Sequence, residues 1–336
     1  MSKKQAFTLF IIILILLATW WLFNFRSQNK LNNQNESNDK LAIVTTLFPL
    51  YDIAKNIGGE AVNVSLLLDP GLEAHSFEPT PSDMIKINQA DIFIYTGKFM
   101  ETWAEDIINS LNNPDLLVID ASTGASFITA SHAHDHEEGE AHTEDEADHE
   151  EDDHDNDLNS GVDPHIWLDF DNLQIITNNI AKGIIEKMPE QKDLFSERTN
   201  NYLHAIQELD ADYKTSLANC EKDSLIYSGH YAFAYLTNRY NLNYESAYGL
   251  SPNSEPSAQT LVGLVKQIQQ AQVKYIFHEE LMSPRVVDIL KQETGADVLT
   301  LNTAHNLSRE QLDNNRSLFS VLTENLEHLK TGLECY

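Results

Sequence analysis

The stretch PEQKDLFSERTNNYLHAIQELDADYKTSLANC, from Pro189 to Cys220, decides how the rest of the chain is divided. It contains no Gly and no Pro after its first residue. Phe195, Tyr202, Leu203, Ile206, Leu209 and Tyr213 recur in it at the three- and four-residue spacing of a helix. A helix of that length is stiff, unlike a Gly/Ser hinge. It therefore reads as a rigid connector, and the two flanking regions can be compared directly.

Upstream, short apolar runs alternate with helical patterns. Leu41–Thr46, Ala61–Leu68, Ala90–Tyr95 and Leu116–Ile119 read as strands. Between them Pro49–Ile57 is a helix stopped by Gly58-Gly59, Pro81–Gln89 a helix capped by Thr80, and Phe99–Leu111 a third. Asp171–Met188 is helical in pattern. Downstream the alternation restarts. Ser224–Tyr227, Tyr244–Ala247, Val273–Phe277 and Ala296–Leu301 are strands, with helices at Tyr231–Tyr240, Ser257–Gln270 and Pro284–Thr294. Ser308-Arg-Glu-Gln311 resembles a capping box that opens a last helix reaching about Lys330. Strands alternating with helices imply parallel sheets. The expected fold class is α/β, with two Rossmann-like lobes of parallel sheet joined by a long rigid linking helix. The expected division is residues 1–40 as N-terminal segment and polar spacer, 41–188 as first lobe, 189–220 as linking helix and 221–336 as second lobe.

Residues 1–40 carry an apolar run from Phe7 to Phe25 behind Lys3 and Lys4, close to the ~20 residues a bilayer span needs. It exceeds the usual apolar region of a signal peptide, and neither a small-x-small cleavage site nor a cysteine follows it. The expectation is an exported body held by an uncleaved helix, with a cleaved signal as the alternative. Export favours a Cys220–Cys335 disulfide over two free buried thiols.

The net charge is −30. Nucleic acid is excluded as a partner, because phosphate binding needs basic patches. Fourteen of the acids lie in Ser131–Asp157 with six histidines (132, 134, 136, 142, 149 and 154) and no Lys or Arg. Such a tract cannot bury enough apolar surface to order itself and reads as a disordered loop. Its imidazoles suit zinc, copper or nickel.

Four histidines outside the tract share a context. His75 follows a strand and an Asp-Pro-Gly turn, and His165 follows Gly161-Val-Asp-Pro and precedes a helix. His230 lies just beyond Ser224–Tyr227, and His305 just beyond Leu301. Ligands of open α/β sheets bind at the carboxyl ends of strands. Two imidazoles from each lobe would close on one cation, and an all-nitrogen tetrahedral set suits Zn2+. Asp163 or Asp169 would orient His165. His204 and His328 read as helix-surface residues. His278-Glu279-Glu280 fails the zinc-protease pattern because Met282 stands at the second histidine position. Glu280 is kept as a substitute fourth ligand or a brace of the cleft wall. Four protein ligands leave no open position for catalysis, so no enzyme is expected. The alternatives are a zinc-dependent hydrolase with Glu280 as base, and a metal-buffer or adhesion protein at the cell surface.

The sequences Leu67-Leu-Asp-Pro-Gly-Leu-Glu-Ala-His75, Asp163-Pro-His165-Ile-Trp-Leu-Asp169, Ser228-Gly-His230-Tyr-Ala-Phe233 and Gly249-Leu-Ser-Pro-Asn-Ser-Glu-Pro256 occur in fixed order. In them the chain resembles the metal-specific solute-binding proteins of ABC importers, from about residue 41 to the C-terminus. The resemblance implies one metal between two lobes, handed to a membrane permease and its ATPase by a monomer at the outer face. The acidic histidine loop and His230 resemble the zinc branch. The family's fourth ligand, usually Asp or Glu, would fall in Leu301–His305, where His305 takes its place.

Overall fold

The computed structural model describes residues 40–129, 161–253 and 255–336. The expected N-terminal membrane helix and the His/acid-rich loop lie outside them. Among the described residues no helix is long and apolar enough to cross a membrane.

The first lobe comprises β1 (Leu41–Thr45), α1 (Phe48–Gly58), β2 (Val62–Leu66), α2 (Pro81–Asn88), β3 (Ile92–Tyr95), α3 (Ala104–Ser110), β4 (Leu117–Asp120) and α4 (Phe170–Lys187). After α5 (Lys192–Ser216) come β5 (Ser224–Tyr227), α6 (Ala234–Tyr240), β6 (Asn243–Ser246), α7 (Ala258–Ala271), β7 (Tyr275–His278), α8 (Arg285–Thr294) and β8 (Asp297–Thr300). The chain closes with α9 (Arg309–Asp313) and α10 (Leu318–Gly332). The sheets run β2-β1-β3-β4 and β6-β5-β7-β8, every pairing parallel. All strand ends of one lobe therefore point the same way, and the loops that leave them share one edge.

Successive strand side chains point to opposite faces, and here both faces are buried. Ile43, Ile92 and Ile94 face a central core, whereas Val44 and Phe93 face an outer one. Leu225, Tyr227 and Phe277 join the same central core, with Ile226 and Ile276 buried in a separate cluster on the other face. Burial on both faces is what makes these strands continuous apolar runs. In α1, Leu50, Ile53, Ala54 and Ile57 sit at helical spacing and are all buried. Each larger side chain among them contributes roughly 1.5–3 kcal/mol of burial.

The connector lies within this central core. Phe195, Tyr202, Ile206, Leu209 and Tyr213 of α5 are buried in it with residues of both lobes. Two lobes sharing one core cannot separate as independent bodies would. Arg239 of α6 adds a polar tie, meeting Asp210 of α5 at 2.7 Å and reaching Asp169 and Asp171 at the start of α4. Cys220 and Cys335 form a disulfide across 115 positions and enclose the second lobe.

Several expected boundaries move. The connector begins as a 3-10 turn at Pro189–Gln191 and is α-helical only over Lys192–Ser216. Helix α6 starts at Ala234 rather than Tyr231, and Tyr231 is tied by its N–H to Gly249 O in the loop beyond β6. Helix α3 is likewise shorter than Phe99–Leu111, since residues 98–100 and 102–103 are turns. The last helix is two helices. Asn315 adopts φ 53, which Asn tolerates better than most residues, and α10 then opens on a second capping box of Ser317 and Ser320.

Candidate metal centre

Loops leaving the carboxyl edges of the two sheets face each other, and four of them carry the histidines. His75 lies in the long loop after β2, and His165 stands immediately before the 3-10 turn Ile166–Leu168 that leads into α4. His230 lies in the loop after β5, and His305 in the loop after β8. The last three are buried and His75 is half-buried.

The Nε2 atoms of His75 and His165 are 3.1 Å apart, those of His75 and His230 3.3 Å, and those of His165 and His230 3.0 Å. Tetrahedral nitrogen ligands at ~2.0–2.1 Å from a zinc ion stand ~3.3–3.4 Å apart. The triangle is therefore close to the size that one such ion would hold. His305 stands beside the triangle on the second lobe, where it, His230 and Glu279 offer a second set of ligand atoms within 4.8 Å of one another. Its ring centroid is 5.9 Å from that of His230, and its Nε2 is buried with no hydrogen-bond partner. A buried, unsatisfied nitrogen is costly unless something is meant to occupy it.

Each of the three buried rings is oriented through its other nitrogen. Asp163 Oδ1 lies 2.7 Å from His165 Nδ1, and Glu279 Oε2 lies 2.8 Å from His230 Nδ1. A carboxylate only accepts, so Nδ1–H donates in both cases and the Nε2 lone pair turns to the centre. The same two oxygens also accept the backbone N–H of His165 and His230. Thr303 Oγ1 stands 2.5 Å from His305 Nδ1. Gly229 is required here, because a Cβ on it would meet Glu279 Oε2 at 2.4 Å.

Burial and the neighbouring imidazoles hold His75, His165 and His305 below the ordinary histidine pKa, so they are neutral donors at pH 7. His230 differs. Burial opposes its charge most strongly of any single influence, but the Glu279 carboxylate, with Glu73 and Asp163 behind it, raises its pKa on balance. Glu279 in turn is pushed up by burial, yet His230 holds it below the usual carboxylate range. This pair stabilises positive charge at His230, whether proton or metal. Burial pushes Asp163 up to about 7.

Other candidates lie elsewhere. Glu280 is turned from the imidazoles, taking the Asn302 amide and Gln311 Nε2 on its two oxygens. It is adjacent Glu279, to which the sequence reading assigned no role, that enters the centre. The available signal was its place directly after β7, on the edge that carries His230. Asp169 does not orient His165; it caps α4 and meets Arg239. His204 is exposed on α5 beside Glu208, while His328 is half-buried and bonded to Thr300 O rather than free on the surface. His278 faces Ser228 Oγ.

The model of one protein family, described as ZnuA, zinc-uptake complex component A, periplasmic, matches residues 43–332. The chain is 35% identical over 295 residues to the high-affinity zinc uptake system protein ZnuA of Bacillus subtilis, covering 88% of each. It is 32% identical to the zinc-binding protein AdcA of Streptococcus pyogenes, over 87% of this chain and 56% of that protein. Among solved structures, it resembles the Zn(II)-bound ZnuA-like domain of Streptococcus pneumoniae AdcA. The TM-score is 0.71 at 28% identity, over 88% of this chain and 99% of that one.

Proposed function

Because the chain belongs to the ZnuA family of periplasmic zinc-uptake components, we propose that it captures zinc outside the cytoplasm between its lobes and passes it to a membrane permease driven by an ATPase. Zinc is cargo here, and the family serves uptake rather than catalysis. The observation that carries the site assignment is the triangle of Nε2 atoms 3.0–3.3 Å apart with the unpartnered Nε2 of His305 beside it. On this reading His75, His165, His230 and His305 are the ligands, with Asp163 and Glu279 behind two of them.

All four ligands come from one chain, so a monomer suffices. Residues 41–188 and 221–336 act as the two jaws, 189–220 as the rigid connector, and 1–40 as the segment that holds the body at the outer face of the cell membrane. The 131–157 arm gathers metal ahead of the site. A hydrolase is disfavoured, since both Glu280 oxygens are engaged elsewhere.

Calorimetric titration of the intact chain tests the proposal. One tight zinc site is expected, and His75→Ala should weaken it by more than the ~10–100-fold typical of losing an outer partner of a metal ligand. Unchanged affinity in His75→Ala would sink the assignment.

A further inference from the structure

We propose that Asn306 is a positioning residue for zinc capture: a clasp that fastens the loop carrying His305 to the loop carrying His75, so that retention of the ion depends on these two loops staying joined. The consequence for zinc rests on the function proposed above, but the clasp itself rests on geometry alone.

Asn306 is buried, with both amide hydrogens and one acceptor direction of its oxygen engaged. Nδ2 donates to Asp69 O at 2.8 Å and to Leu72 O at 2.9 Å, across 237 and 234 positions of sequence. Its Oδ1 accepts the Leu307 N–H at 2.8 Å. The two carbonyls it reaches belong to one turn, closed by Leu72 N–H to Asp69 O. From the same turn Gly71 N–H returns to Leu307 O at 2.9 Å. Three hydrogen bonds thus join a turn of the first lobe to a loop of the second. His305 is one residue before Asn306, and His75 is three residues after Leu72.

The neighbouring bonds run the same way. Phe48 N–H donates to His305 O at 3.1 Å, and Trp167 Nε1–H to Thr303 O at 2.8 Å. Residues 303–307 are therefore a tongue of the second lobe bonded into the first. Within its own lobe the tongue is held at its base, where Asn302 N–H meets Asn325 Oδ1 and Ala304 N–H meets Asn302 Oδ1. In this tongue only Asn306 contacts the other lobe through side-chain donors, and the remaining interlobe bonds named here use tongue backbone. A side chain can therefore be changed to test the clasp while all four imidazoles are kept.

Asn306→Asp is nearly isosteric and sets a carboxylate oxygen against two carbonyl oxygens, acceptor facing acceptor. Asn179→Asp is the matched control: its Nδ2 donates to Ala121 O and Thr123 O, both inside the first lobe. Two measurements on the intact chain are needed. One is amide exchange at Gly71 in the metal-free protein, and the other is zinc release into excess chelator. The expected result for Asn306→Asp is faster exchange at Gly71 and release accelerated roughly tenfold or more, with the association rate unchanged. Asn179→Asp should alter neither, and if Asn306→Asp fails to fold, Asn306→Ser carries the same expectation. Parental exchange at Gly71 together with parental release would overturn the clasp. A parent chain that takes up no zinc would instead overturn the functional reading, and exchange at Gly71 would still decide the clasp.

Discussion

Glu279 Oε2 lies 2.8 Å from His230 Nδ1 and 3.0 Å from the His230 backbone nitrogen, while Glu279 Oε1 is buried with no partner. One carboxylate of the second lobe thus fixes both the ring and the main chain of the residue that joins the two histidines of the first lobe. Its negative charge also remains available to whatever positive charge the ring acquires.

Glu279→Gln keeps the shape and removes the charge. Zinc affinity should fall by roughly 10–100-fold, read by competition against a chelator of known strength. Glu280→Gln, one residue on and turned away, should leave affinity near the parental value. Equal losses in both variants would contradict the assigned roles.

Proton release should be small for a site of four histidines. His75, His165 and His305 are already neutral at pH 7 because burial and mutual repulsion lower their pKa values. Protons remain to be displaced from His230, raised by Glu279, and from Asp163, pushed up to about 7. Calorimetry in buffers of different ionisation enthalpy should therefore find about one to two protons released per zinc, not four. Release of three or more would show that the imidazoles are not held neutral.

The same shifts set how the metal-free protein responds to acid. For the three depressed histidines the unfolded chain binds more protons than the folded one below about pH 6.5. Their contribution is complete above that pH and is lost progressively beneath it. His230 acts oppositely: its raised pKa adds stability at low pH that disappears as pH rises through the raised value. Asp163, pushed up to about 7, and Asp52 and Glu101, pushed up to about 6, act with His230. The histidine part is therefore read as a difference: the melting temperature of the metal-free parent should fall more than that of His75→Gln as pH drops below about 6.5. A difference between parent and variant that stays constant from neutrality to pH 5 would contradict the burial of the His75 ring.

The strand-turn-histidine pattern made His75, His165, His230 and His305 legible in the sequence, since parallel sheets bring all their loops to one edge. Glu279 was not legible. Glu279 and Glu280 are chemically identical neighbours, and which one turns inward depends on how the chain leaves β7. The tie from Asn306 to the turn at Asp69–Leu72 was equally hidden, because no local pattern marks a pair more than 230 residues apart. Element types could be read from periodicity, whereas ends such as Ser216 or Ala234 fall where periodicity gives no sign.

The Cys220–Cys335 disulfide closes a loop spanning the whole second lobe. Constraint of the unfolded chain over a loop of this length is worth about 4–5 kcal/mol in the chain-entropy treatment. Cys335→Ser should lower the melting temperature by several degrees, and reducing agent should affect only the parent. Equal melting of parent and variant would show that the bridge does not stabilise the fold.

Arg239 spans three elements, with paired bonds to Asp210 and contacts to Asp169 and Asp171. Its side chain is partly exposed, so Arg239→Met should cost only about 1–3 kcal/mol in chemical denaturation. Asp210, held below the usual carboxylate range chiefly by Arg239, contributes stability that is lost as pH falls through its lowered pKa. A variant as stable as the parent would remove this tie from the account of the interlobe packing.

X-ray absorption spectroscopy of the zinc-loaded chain tests the central claim most directly. Four imidazole nitrogens at ~2.0–2.1 Å are predicted, with one imidazole fewer in His305→Ala. Three imidazoles with an oxygen ligand in the parent, and an unchanged spectrum in His305→Ala, would contradict the four-histidine site.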